Sequence, residues 1–469
     1  MTAPLSRRRF LQASIVSAIG GANTGKAETG SGKKILVVGA GLAGLNAASI
    51  MTRWGFDVEV IEARNRVGGR LWTLDHVPGN PEGGGNVIGA DYGRTLFTAL
   101  SLGVPLRTPP ATLPSDYLIG GQRILRPNWP SAVANPLPES WRGVTPERLL
   151  GKLNQNNPLL ETRRWHDPSL MADDKPADKG LKALGFPEAA IQLISANNSY
   201  GNRLEDTSLM ALYRVLGEFG RLSGPALALK EVTTGNMRLP EAMANQLKRP
   251  VSLGDPVLRV TQSASGVSAL LASGRSVEAD IAILALPIPA LKRVELSLPK
   301  AHADVLQHIA YHKVVQLHCI VEAPYWREYG ESGSWWTDGP LGRLFMRPIP
   351  GDHRHNLTVW INGNDCDRLN TMNEPDCEAA ITTALWKLVP AAREVTTVAA
   401  LVRWQPDIYA GGSWAIWAPG QANKAHELAR APAGRLFFAG EHTAEAYRGI
   451  EGAMESGERV ALEALRFLS

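Results

Sequence analysis

The most specific chemical spacing in the chain is Gly39, Gly41 and Gly44, with an acid, Glu62, further on. Glycine at the first position permits a tight turn. At the second it lets backbone approach a pyrophosphate, and at the third it lets a helix pack close on a strand, while an acid at the end of the next strand can accept from a ribose hydroxyl. That is dinucleotide chemistry, and it needs a helix N-terminus aimed at the phosphates. Three glycines therefore mean little outside a strand–helix–strand setting. The sequence supplies that setting: "KKILVVGAGLAGLNAASIMTRWGFDVEVIEA" opens on an apolar run at 34–38, continues with alanines, Leu45 and Met51 at helical spacing, and ends on a second strand at Glu62.

Two further stretches hold residues that are expensive without a task. In "IAYHKVVQLHCIVEAPYWRE" Lys313 stands in an alternating strand, and a lysine directed into a buried sheet face is costly. His312 must face the other way and reads as structural. In "GGSWAIWAPG" Trp414 and Trp417 are three apart, so they face opposite sides of an extended chain. One can wall a pocket while the other joins the core.

The totals bound the alternatives. The chain has 469 residues, 44% hydrophobic and 20% charged, enough for two domains with a large core. A net charge of +4, with no long basic run beyond the N-terminus, argues against nucleic-acid binding. Cys319, Cys366 and Cys377 form no CxxC, and the ten histidines include no HExxH, so neither a disulfide framework nor a metal site is expected. No internal apolar run is long enough for a stable membrane span. The opening "SRRRFLQASIVSAIGGA" resembles a twin-arginine export signal over residues 1–27, which implies export in the folded state to the periplasm after a cofactor has been loaded.

"EARNRVGGRLWT", directly after Glu62, resembles the second glycine motif of the flavin-containing amine oxidase family (monoamine, polyamine and L-amino-acid oxidases). "GRLFFAGEHTAEAYRGIEGAMESGERVALEAL" resembles that family's terminal motif. The resemblance implies FAD. It places Arg64 and Arg70 near the pyrophosphate, Gly68 and Gly69 where backbone passes close to the flavin, and the backbone of Val257 at the adenine. Glu441, after Gly440, would bind the ribityl chain, and the helix start at Ile450 would face the flavin N1 and C2 carbonyl. Lys313 would hold a water against N5. Trp404 would pack beside the isoalloxazine, and Trp414 would form one wall of an aromatic cage. Ser413 stands where covalent members carry a cysteine, which implies noncovalent FAD.

Two positions depart from the pattern. Ungapped reading puts the second cage wall at Gly449, which cannot be one. Tyr447 could substitute, the pocket could stay open on that side, or a one-residue gap would bring Ile450 there. The arginine that grips a carboxylate in L-amino-acid oxidases falls near Ile88, which cannot do so, and Arg94 reads as a packing or capping residue.

The expected architecture is α/β: a Rossmann-like FAD-binding domain (parallel sheet with a β-meander) assembled from 33–105, 232–298 and 405–469, and a mixed α+β substrate-binding domain from 106–231 and 299–404 with a helical insertion. The expected activity is FAD-dependent oxidation of a primary or secondary amine, with O2 or a periplasmic electron acceptor as partner. An L-amino-acid oxidase is the alternative, and a flavin dehydrogenase or desaturase on a non-amine substrate a third. Oligomeric state stays open, with a homodimer among the options.

Overall fold

The computed structural model of the protein describes residues 32–159, 161–220 and 229–469; the export-like segment lies outside them. The N-terminal strand Lys34–Val38 sits inside a four-stranded sheet in the order Asp57–Ile61, Lys34–Val38, Ile281–Leu284, Leu436–Phe438, all parallel. Its apolar run is buried on both faces, as a central parallel strand must be. Three distant parts of the chain thus build one sheet.

Small residues set the helix packing on that sheet. A Cβ on Gly44 would lie 2.0 Å from the carbonyl oxygen of Gly39, so the helix Leu42–Arg53 can approach its strand only with glycine there. The terminal helix Gly449–Leu468 crosses the same helix equally closely, because a Cβ on Gly457 would lie 2.4 Å from Ala43 O. Asn46 seals the contact by donating to Met454 O at 2.7 Å. A second four-stranded sheet, Ser276–Ala279, Val267–Leu271, Val257–Gln262 and Glu295–Leu296, is the expected meander with one parallel edge.

The third sheet has seven strands, in the order Thr396–Arg403, Val314–Val321, His355–Asn362, Arg343–Pro348, Ser334–Thr337, Ser115–Ile119, Gln122–Ile124. Its strand Val314–Val321 is buried throughout. Val315, Leu317, Cys319 and Val321 join a core with Ile381 and Leu385 of the helix Glu374–Leu388. The even-numbered residues take the opposite face, since side chains alternate along a strand. The connection between the sheets is helical: proline-led 3₁₀ turns, then Ala177–Ala183, Glu188–Ala196 and Leu209–Gly220. Among the described residues no helix is long and apolar enough to cross a membrane.

Candidate active site

One cavity of about 700 Å³ runs from the first sheet's strand ends to the even-numbered face of Val314–Val321. Its dinucleotide half is built from the glycine motif. Gly39 has φ +103, and a Cβ there would meet Ala285 O at 2.7 Å, so only glycine makes this turn. Gly41 is the N-cap of Leu42–Arg53, with no side chain capping the first turn. A Cβ on Gly41 would meet nothing within 4 Å and would stand in the cavity. Uncapped first-turn amides beside a backbone with no side chain form an anion cradle. Glu62 accepts from Ala40 N at 2.8 Å and Arg64 N at 2.9 Å, which fixes its carboxylate at the cavity edge. Each oxygen keeps a lone pair for a ribose hydroxyl. These residues fit the adenosine and pyrophosphate of FAD, and Val257 lines the same end.

Gly68 and Gly69, both at positive φ, continue the lining towards Arg70. The Arg64 guanidinium pairs with Asp407 at 2.6 Å. Arg70 donates to Ser413 O at 2.7 Å and pairs with Glu441 at 3.2 Å. Glu441 also accepts from Ala415 N at 2.8 Å. Burial alone would raise the Glu441 carboxyl; the Arg70 guanidinium and His442 outweigh it and hold the group below its ordinary value. Gly440 has φ +143, and a Cβ there would strike the His442 ring. Ile450 lines the cavity at the start of the terminal helix.

The other half is aromatic. Trp404 is buried, donates its indole N–H to Gly83 O at 2.9 Å, and meets Trp72 edge-on at 6.1 Å. Trp414 lies half-buried on the cavity, backed by His312, whose ring is parallel to within 9° at a centroid distance of 4.6 Å. The Trp414 Nε1 is buried without a hydrogen-bond partner. Trp417 faces away and packs against Trp165 and His426 in the core. Ser413 lines the cavity, and its hydroxyl donates to His312 O at 3.0 Å.

Lys313 is not where its sequence context suggests. Its ammonium lies 2.5 Å from Asp367 and within reach of Asn364, and no lysine lines the cavity among the described residues. The reason is parity. Lys313 precedes Val314, and Val314 and Gln316 are the residues of this strand that face the cavity. Gln316 is the polar group there; it donates to Gly83 O at 3.1 Å and lies 2.9 Å from His318 Nε2. His312 is buried and held down at about 3 by desolvation, so its ring is neutral.

The place opposite Trp414 is taken by a residue the sequence did not single out. The Arg448 guanidinium lies 6.0 Å from the Trp414 ring centroid and 5.3 Å from that of Tyr200. Tyr447 instead packs edge-on against Tyr92. Ile88 is buried away from the cavity, and Arg94 pairs with Glu451 and Glu458, in keeping with a packing role. Glu218, from Leu209–Gly220, also lines the cavity. Tyr200 and Glu218 come from the insertion, where no motif marks them; Arg448 adjoins Gly449, so only its contacts reveal it.

The chain is similar to known proteins along nearly its whole length. The L-amino-acid oxidase of Mus musculus is 26% identical over 471 residues, covering 92% of this chain and 71% of the mouse protein. The flavin-containing amine oxidase A of Bos taurus is 24% identical over 462 residues, covering 92% of this chain and 85% of its own. A solved structure of wild-type putrescine oxidase bound to putrescine is similar with a TM-score of 0.77 at 25% identity, over 92% of this chain and 99% of that one. The family model described as flavin containing amine oxidoreductase matches residues 42–465. With FAD as its cofactor and CH–NH groups as its point of attack, this chain belongs to the flavin-containing amine oxidoreductase family.

Proposed function

We propose that the protein oxidises a primary or secondary amine to an imine, which water then hydrolyses to an aldehyde or ketone. The observation that carries this reading is the continuity of the dinucleotide cradle with an aromatic chamber bounded by Trp404, Trp414 and Tyr200. Bound FAD supplies the two-electron acceptor for the α-C–H and passes the electrons to O2, giving H2O2, or to another acceptor. The chain's own residues do the rest. An amine must be uncharged when it gives up its α-hydrogen, and aromatic walls favour that form by excluding bulk water. They also hold the carbon in line at about 3–3.5 Å, the reach such a transfer needs.

The test is an anaerobic screen of amines and amino acids for bleaching of the flavin, followed by admission of O2. Bleaching by an amine and recovery in air is the expected result; a flavin that no amine or amino acid reduces would sink the oxidase reading. FAD is held without a covalent bond, since Ser413 offers a hydroxyl already given to His312 O. Acid precipitation should therefore leave the flavin in the supernatant. Export through the twin-arginine pathway rests on Arg7 and Arg8. It is checked by fractionating cells that express the full chain and its Arg7→Lys/Arg8→Lys variant; equal periplasmic amounts would refute it.

A further inference from the structure

An arginine and a glutamate line the substrate end of the cavity, and among the described residues neither side chain makes an ion pair or donates or accepts a hydrogen bond. The Arg448 guanidinium donates no side-chain hydrogen bond and makes no ion pair among the described residues. It is held only by the faces of Tyr200 and Trp414. Glu218 is 8% exposed, its Oε1 is buried with no hydrogen-bond partner, and it makes no ion pair with Arg448. Of the other arginines on the cavity, Arg64 is paired with Asp407 and Arg70 with Glu441 and Ser413, while Arg293 is exposed at the far end beside Val257 and Val294.

An unpaired buried carboxylate is costly, and a half-buried guanidinium with no protein acceptor keeps its donors free for a ligand. Two groups of opposite polarity that line one cavity without bonding each other are available to the two ends of a group bearing both signs. We propose that Arg448 and Glu218 are the substrate-reading pair of this site, and that the amine oxidised here is a zwitterion whose carboxylate is taken by Arg448 and whose ammonium is drawn to Glu218. The inference rests on the oxidase reading above and names its substrate class.

The chemistry of the two groups suits these roles. A guanidinium is a rigid planar fork that binds a carboxylate through two parallel hydrogen bonds, and a cation sandwiched by rings is already oriented for it. Arg448 is the N-cap residue of the helix Gly449–Leu468, so a carboxylate would be gripped at the helix-start side of the chamber. Burial pushes the Glu218 carboxyl up to about 7; Arg448 and Arg214 pull it down, while Asp91 and Glu455 raise it further. An empty cavity can thus hold Glu218 protonated near neutral pH, and an arriving ammonium favours its ionised form.

The experiment uses the purified holoenzyme and matched pairs differing only in a carboxylate: L-phenylalanine against phenethylamine, and 5-aminopentanoate against pentylamine. The apparent second-order rate of anaerobic flavin bleaching should favour the carboxylate member by tenfold or more in at least one pair. Arg448→Met should bring that ratio near one, Arg448→Lys should keep part of it, and Glu218→Gln should raise KM more than it lowers kcat. Equal rates within both pairs, or a preference that survives Arg448→Met, would overturn the proposal. Binding is read separately by titrating the flavin absorbance with 3-phenylpropanoate and with 3-phenylpropanol. Tighter binding of the carboxylate that depends on Arg448 supports the pair even if no amine bleaches the flavin, which would fault the oxidase reading alone. Equal affinities would fault the pair alone.

Discussion

The rings of His312 and Trp414 lie flat against each other, 4.6 Å between centroids and 9° from parallel. The histidine is fixed behind the tryptophan by Asn198 O, which accepts from Nε2 at 3.3 Å. Trp414 is therefore a braced wall rather than a mobile flap. Trp414→Ala is expected to lower kcat/KM for amines by about tenfold or more, roughly 1.4 kcal/mol of transition-state stabilisation, with flavin stoichiometry unchanged. Steady-state kinetics beside a flavin-to-protein absorbance ratio decide it. Unaltered kinetics would remove Trp414 from the wall.

Lys313, just before the strand Val314–Val321, and Gln316, within it, make a contrasting pair. The Lys313–Asp367 ion pair is partly exposed and contributes about 0–1 kcal/mol. Lys313→Met should leave both flavin half-reactions within about twofold of wild type in stopped-flow traces, and a larger change would return the lysine to the chemistry. Gln316→Leu should slow at least one half-reaction. It also takes the acceptor from His318, a loss of about 1–3 kcal/mol in urea denaturation.

What the sequence made legible, and what it did not, follows from the range over which each signal acts. Gly39, Gly41, Gly44 and Glu62 act within one strand–helix–strand unit, so spacing alone placed them in the cradle. Trp414 and Trp417 divide between cavity and core by strand parity, which is also local. The alternation itself holds at Lys313, but which of its two faces meets the cavity is set by the neighbouring strands His355–Asn362 and Thr396–Arg403, not by the local pattern. Glu218, Tyr200 and Arg448 converge from separate parts of the chain, and no short-range signal encodes a meeting of that kind.

The Gly41 position separates cofactor binding from folding. Its backbone, φ −74 and ψ 174, suits any residue, and a Cβ there meets nothing within 4 Å. Gly41→Val should therefore fold normally while its side chain occupies the space beside the free amides, so the purified protein should be colourless with unchanged circular dichroism. Gly44→Val should instead fail to fold, because its Cβ would sit 2.0 Å from Gly39 O. A yellow Gly41→Val protein would show that the phosphates pass elsewhere.

Acid sensitivity should trace in part to His318. The residue is buried within the strand Val314–Val321, 3.3 Å from the Thr358 hydroxyl, and desolvation holds it down at about 4. An unfolded histidine titrates near about 6.5. Between those values the unfolded chain binds a proton that the folded one refuses, so stability is full above about 6.5 and declines as pH falls towards 4. At pH 5 the loss from this group is about 2 kcal/mol, from 1.4 kcal/mol per unit. His442, also held near 4, and His312, near 3, add to the same limb. Urea denaturation of wild type and His318→Gln at pH 7 and pH 5 measures the share directly. The variant should lose about 2 kcal/mol less than wild type between the two pH values, and parallel losses would mean that His318 keeps its ordinary proton affinity in the fold.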